Sequence, residues 1–134
     1  MTEKLEFYKC EICGNLVQVI LNGAGELVCC GEKMEKLDSK NEEIGTGEYH
    51  VPVFKTDDNG FTSIQVGKEL HPMTEEHHIE FIEKISKDKK KFTLQYTEIG
   101  HEPRMELQYK SQNECAVGYC NIHGLWKGEN NAKY

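Results

Sequence analysis

From residue 48 onward, polar and apolar positions trade places in short runs: YHVPVFK, FTSIQVG, HIEFIEKI, KFTLQYTEI, RMELQYK and ECAVGY. Each run is rich in β-branched or aromatic residues and too short for an ordinary helix, the pattern of strands. The first two are joined by DDNG, whose Asn59-Gly60 pair is a strong hairpin signal. A rival helix can be drawn through the Glu- and Lys-rich stretch 74–87. Ile79, Phe81 and Ile85 nevertheless share a period of two with Glu83, which favours a half-buried strand. Six or seven short strands without a clear helix predict a small β-sandwich.

The N-terminal part has a different texture. LEFYKC and LVQVIL read as strands, NGAG at 22–25 as a turn and ELVCC as the returning strand. A unit this small buries too little apolar surface to stand without a metal or a partner. KLDSKNEEIGTG at 36–47 is polar and glycine-containing, as a linker is. The chain therefore divides into a small domain, 1–37, and a larger one, 38–134.

Composition narrows the function classes. Among 134 residues, 29% are charged and the formal net charge is −7, which argues against nucleic acid or an anionic membrane as the main partner. No apolar run reaches membrane-spanning length. The start, MTEKLEFYKCEIC, lacks the apolar core of a signal peptide, so the expected compartment is the cytoplasm. Cysteines there are kept reduced, and six of them point to metal or redox chemistry.

Two sets of ligand-type residues stand out. Cys10 and Cys13 form a C-x-x-C knuckle, and Cys29-Cys30 closes the same unit. Four thiolates suit tetrahedral zinc or iron, and spacing alone does not choose between them. Because neighbouring side chains on an extended chain diverge, the adjacent pair predicts a twisted backbone at 29–30. The second set is assembled from EYHVPV, HPMTEEHHIEF and YCNIHGLW. It offers His50, His71, His77, His123 and Cys120. That is too many ligands for a tetrahedral structural zinc, and mostly imidazole donors with one thiolate suit iron.

With these motifs in order, the chain resembles the desulfoferrodoxins, superoxide reductases with two iron centres. The resemblance rests on C-x-x-C with CC, then E-x-HVPV, then HPM-x-x-x-H-x-I, then C-N-x-H-G, and spans nearly the whole sequence. It implies an all-β chain in which a desulforedoxin-like metal-binding domain precedes an immunoglobulin-like β-sandwich. It implies two Fe ions per chain, one held by Cys10, Cys13, Cys29 and Cys30. The other would have His50, His71, His77 and His123 in its equatorial plane and Cys120 as axial ligand. It further implies superoxide as substrate, a rubredoxin-like electron donor and a homodimer. Glu48 would be the carboxylate that caps the resting site.

The chain departs from the family at one position. The family usually has lysine between the glutamate and the histidine; here the residue is Tyr49, neutral at pH 7. Lys127 and Lys55 are candidates to restore the charge, although a plain solvated lysine is the simpler reading of each. His78, beside the ligand His77, is expected to pack or face solvent, since neighbours on an extended chain point to opposite sides. His101 in IGHEP is expected at the surface, and Cys115 as a small buried hydrophobe. The rival reading is a non-enzymatic iron electron-transfer protein; five intact ligands argue against it.

Overall fold

A computed structural model describes residues 1–41 and 47–130, without the side chains of Gly47 and Glu48. It separates the chain into two compact units, Met1–Asp38 and Ser39–Tyr134.

In the first unit, β1 (Phe7–Lys9) is the central strand, flanked by β2 (Leu16–Gln18) and by a third strand, antiparallel to it on both sides. The third strand is not ELVCC. Those residues form a separate two-stranded ribbon, β3 (Val28–Cys29) with β4 (Glu32–Lys33). Its turn is Cys30-Gly31, with φ of 53° and 77°, the positive pair that suits the twist of a tight hairpin. The partner of β1 is β5 (Glu35–Leu37), which begins before and runs into the stretch expected to be linker. Its Glu35 and Lys36 are exposed, so it carries little apolar signal. Lys36 Nζ instead pairs with Glu6 at 3.1 Å. Phe7, Cys10 and Val19 are among the few buried apolar residues of this unit, in line with a fold that needs a staple.

The second unit opens with a single helical turn, α1 (Gly47–His50), where a strand start was expected. Seven strands follow: β6 (Pro52–Thr56), β7 (Thr62–Val66), β8 (Ile79–Ile85), β9 (Phe92–Tyr96), β10 (Arg104–Glu106), β11 (Cys115–Cys120) and β12 (Gly124–Glu129). They form a three-stranded sheet, β10-β7-β6, and a four-stranded sheet, β12-β11-β8-β9. Six had shown in the sequence pattern; the seventh, β12, lay in a segment read for its ligands. Ile64, Val66 and Met105 from one sheet meet Ile79, Ile82, Ala116 and Cys120 from the other in one core, which makes the pair a sandwich. The sheets come close at Gly128, where a Cβ would lie 1.9 Å from the Pro52 carbonyl oxygen.

The strand β8 is more buried than its alternation suggests. Its register against β11 shifts between Tyr119 and Cys120, which pair with Phe81 and Ile79 and leave Glu80 over. This bulge turns Ile79 to the same side as Ile82, so both enter the core. Glu83, read as the polar member of a half-buried face, is fully buried instead, because residues 81–85 are covered on that side as well. The bulge lies directly after His77 and His78 and opposite Cys120, where the strand meets the second ligand set. Among the described residues, no helix is long and apolar enough to cross a membrane.

Candidate metal centres

The first centre is built by two turns. Gly14 N donates to the Cys10 carbonyl at 2.9 Å, which curls the C-x-x-C loop, and Cys13 N approaches Cys10 Sγ at 3.5 Å. The Cys30-Gly31 turn supplies the other two sulfurs, and its positive φ is the twist predicted for an adjacent pair. All four sulfurs lie within 4.8 Å of one another, with Cys13 and Cys29 at 3.6 Å and Cys29 and Cys30 at 3.9 Å. A tetrahedral ion with bonds of about 2.3 Å sets its sulfurs about 3.8 Å apart, so the cluster has the size of such a site. Asn15 Nδ2 approaches Cys29 Sγ at 3.9 Å.

Electrostatics give the same answer. The Cys13 backbone N–H brings the Cys10 thiol down to about 7, whereas the sulfurs of Cys13, Cys29 and Cys10 push Cys30 up to about 12. Four thiolates at this spacing repel one another unless a cation lies among them.

The second centre gathers side chains from four places. His50 ends α1, His71 follows β7, His77 precedes β8, and Cys120 and His123 bracket the turn from β11 to β12. Donor atoms of His50, His77, Cys120 and His123 lie within 4.8 Å of one another. His71 joins through its Nε2, 3.1 Å from His50 Nε2. The ring centroids run 4.6 Å from His50 to His71, 4.5 Å to His77, 5.1 Å to His123 and 4.8 Å back to His50. The diagonal from His50 to His77 is 6.0 Å. The four rings therefore form a closed circuit with sides of similar length, each turned 67–80° from its neighbours.

Three observations bear on a metal here. His50 Nε2 is 3.1 Å from both His71 Nε2 and His123 Nδ1. Nitrogens bound at right angles to one ion by bonds of about 2.1 Å lie about 3.0 Å apart, against about 3.4 Å at a tetrahedral angle. These two spacings fit donors bound at right angles to one ion. His77 Nε2 is buried without a hydrogen-bond partner among the described residues, a polar atom that lacks an acceptor or an ion. Finally, Cys120 is fully buried, and its sulfur receives the His123 N–H at 3.4 Å while lying 3.8 Å from His123 Nδ1.

Surrounding groups fix the rings. His71 Nδ1 donates to the Pro72 carbonyl at 2.7 Å, leaving Nε2 with its lone pair toward the centre. Burial pushes His71 down to about 4, so the ring is neutral, as a ligand must be. His77 is also lowered, by burial first. Its loop is closed by Thr74, whose N–H donates to the His77 carbonyl at 3.0 Å. Asn121 then ties that loop to the β11–β12 turn, donating to the Glu76 carbonyl at 3.0 Å and accepting the His78 N–H at 2.9 Å.

His78 points away from the group, to the Thr74 carbonyl and the Glu80 carboxylate. His101 is exposed near Glu98, and Cys115 is half-buried outside both centres. Tyr49 is 43% exposed. The Glu48 side chain lies outside the described residues. Lys127 pairs with Glu129 at 3.7 Å, and Lys55 is exposed on β6. Trp126, outside the candidate ligands, also reaches the centre. Its ring stacks on His50 at 4.8 Å and its Nε1 donates to the His123 carbonyl at 3.2 Å. Its place in CNIHGLW, three residues after a ligand, was the available signal.

Comparison with known proteins agrees with this geometry. The family described as desulfoferrodoxin, N-terminal domain, matches residues 2–37, and the family described as desulfoferrodoxin matches residues 38–129. The chain is 44% identical over 130 residues to a desulfoferrodoxin of Desulfarculus baarsii, covering 97% of this chain and 100% of that one. The crystal structure of the superoxide reductase from Treponema pallidum superposes with a TM-score of 0.68 over 96% of this chain and 99% of its own; at 21% identity the likeness is one of fold. A superoxide reductase of Giardia intestinalis is 31% identical with a TM-score of 0.50, over 63% of this chain and 99% of that one.

Proposed function

The chain belongs to the desulfoferrodoxin family, and from that membership we propose that it is a superoxide reductase with an iron ion at each of its two centres. Each superoxide takes up one electron and two protons and leaves as hydrogen peroxide. The observation that carries the reading is the cluster of donor atoms from His50, His77, Cys120 and His123, with His71 Nε2 3.1 Å from His50 Nε2. Iron held there would supply the electron and a coordination position for the anion.

The side chains have separable parts in this scheme. The four imidazoles are neutral ligands, so the Cys120 thiolate is the one negative donor among the five. Its donation favours the oxidised ion, and the His123 N–H directed at the sulfur tempers that push. The Pro72 carbonyl and the Asn121 amide hold His71 and the His77 loop, so that the donor set is assembled before the ion arrives. Tyr49, exposed and next to His50 in sequence, carries a hydroxyl that can orient water, and solvent supplies the two protons. Glu48, from the same turn as His50, is the carboxylate assigned to cap the site once peroxide has left.

Residues 1–37 form the electron-relay unit in this reading, with Cys10, Cys13, Cys29 and Cys30 around the second iron. Residues 38–134 form the catalytic unit. A rubredoxin-like protein would deliver electrons, and the chain would act as a cytoplasmic homodimer; family resemblance is the support for these assignments.

The test is to mix anaerobically reduced, iron-loaded protein with superoxide and to measure peroxide and oxygen together. One peroxide per superoxide without oxygen is the result expected. Oxygen with half that peroxide would make the protein a dismutase. No acceleration over the spontaneous reaction would leave an electron carrier.

A further inference from the structure

Tyr49 leaves a gap in the chemistry. The substrate is an anion, the chain carries a formal charge of −7, and the residue between Glu48 and His50 brings no positive charge. A negatively charged protein repels an anionic substrate unless a local cation inverts the field at the site. The two lysines singled out from the sequence do not supply one. Lys127 faces its own carboxylate, Glu129, and Lys55 stands exposed on β6.

A third lysine does reach the site. Lys40 Nζ donates to the His123 backbone carbonyl at 3.1 Å and lies 5.3 Å from the centre of the Trp126 ring. That carbonyl also receives the Trp126 Nε1–H, so ammonium and indole converge on the backbone of one ligand. The indole in turn stacks on the ring of another ligand, His50, inclined by 23°. Ammonium, indole and imidazole are thus linked in series. The backbone of Lys40 is fixed as well: its N–H donates to the Leu125 carbonyl at 3.0 Å, and its carbonyl accepts the Lys127 N–H at 2.8 Å. A lysine anchored at both ends holds its charge in one place, unlike a freely swinging surface lysine. The residue lies in the stretch 36–47 that reads as linker, so nothing in the sequence pattern marks it.

We propose that Lys40 is the cation of the catalytic centre, a positioning residue that draws superoxide toward the iron and favours the iron's reduced state. The proposal rests on the superoxide reductase reading. Lys40 touches neither substrate nor ion; it acts through its field and through the His123 carbonyl. The attraction lowers the free energy of an approaching anion, and the same charge disfavours the more positive ferric ion. Both effects weaken as salt screens them over a Debye length of about 10 Å at 0.1 M. A single charge near a site changes an encounter rate by about two- to fivefold. Charge reversal doubles the change in charge, so its factor is the square of the neutral variant's.

The experiment uses the full chain with K40Q, K40E and K40R. Trp126 is the one tryptophan, so emission from the metal-free protein reports the ammonium–indole contact without iron or turnover. Emission should shift in K40Q and return in K40R. In iron-loaded protein, the second-order rate with superoxide should fall about two- to fivefold in K40Q and by about the square of that factor in K40E. Both losses should vanish at high ionic strength, and the midpoint potential of the histidine-ligated iron should fall in the order K40R, K40Q, K40E. Iron content, measured on every variant, separates a charge effect from loss of the site. A K40Q loss of equal size at every ionic strength would overturn the proposal, as would unchanged emission or a potential indifferent to the charge at 40. Should the wild-type protein fail to consume superoxide, the functional reading falls by itself. Emission and potential would still decide whether Lys40 sets the charge at this centre.

Discussion

A Cβ placed on Gly67 would lie 2.7 Å from the Tyr49 carbonyl oxygen, and 2.2 Å from that of Glu69. Gly67 has φ of 91°, which side chains rarely adopt, and its N–H donates to the Val51 carbonyl at 3.0 Å. The close approach seats the turn that ends in His50 against the end of β7, from which the chain runs on to His71. Gly67→Ala must push that turn away or strain its own backbone, at a cost of about 2–4 kcal/mol. Urea unfolding should record the loss, and the histidine-ligated centre should bind less iron while the four-cysteine centre keeps its own. Retention of both irons with unchanged stability would show that the turn tolerates displacement.

His77 and His78 are neighbours with opposite fates. Among the described residues, His77 Nε2 is buried and without a hydrogen-bond partner, whereas His78 is occupied by the Thr74 carbonyl at 2.8 Å and Glu80 at 2.7 Å. His77→Asn should abolish most iron binding at the histidine centre. His78→Asn should leave the iron and cost about 1 kcal/mol of stability through its lost hydrogen bonds. Metal analysis of the two purified variants distinguishes the assignments, and equal losses would mean that the sites are not separable.

Trp126 acts on the centre from outside the ligand set. Trp126→Phe keeps an aromatic face for His50 but deletes the donor to the His123 carbonyl, a change of about 1 kcal/mol. Trp126→Ala removes both and opens a cavity beside a ligand, at about 3–5 kcal/mol. Thermal unfolding should rank wild type, Phe and Ala in that order, with iron dissociating fastest from the Ala variant. A Phe variant as damaged as Ala would place the whole effect in the hydrogen bond.

How much of this was legible beforehand depended on the kind of signal. Strands β6 to β11 announced themselves because each is a short run rich in β-branched or aromatic residues, a signal local to each strand. The two clusters of candidate ligands were legible because Cys and His are scarce and their spacing is conspicuous. Strand β5 was hidden: its exposed Glu35 and Lys36 resemble linker, and its membership depends on pairing with β1, far off in sequence. The fully buried Glu83 was hidden for the same reason, since only the packed sheet covers it. The contact of Lys40 with Trp126 was beyond reach because it spans 86 positions and rests on a backbone bridge that no periodicity encodes.

Position 49 offers a gain-of-function test. Tyr49 is exposed and adjacent in sequence to the candidate ligand His50, so a lysine there adds charge without disturbing the core. Tyr49→Lys should accelerate the reaction with superoxide by up to about tenfold at low salt and make it more salt-sensitive. Stopped-flow rates across a salt series would show this. An unchanged rate would mean that the field at this site is already saturated by other charges or that encounter is not limiting.

The four-cysteine centre makes a prediction whose sign follows from its thiols. Without a cation, crowding by the other sulfurs holds Cys30 up to about 12, while the Cys13 N–H brings Cys10 down to about 7. At neutral pH the metal-free unit therefore keeps protons on sulfur that a bound ion must displace. Metal uptake should release protons, affinity should climb as pH rises, and acidification should expel the ion. Because Phe7, Cys10 and Val19 are nearly all the apolar core this unit has, expelling the ion should also unfold it. Titrating metal-free protein with ferrous ion or zinc in weak buffer would count the protons, and circular dichroism would follow the fold. Cys30→Ser should lower affinity at every pH and release fewer protons per ion. Proton-free binding, or a unit that stays folded after its ion has left, would show that the sulfurs do not hold the fold through a common metal.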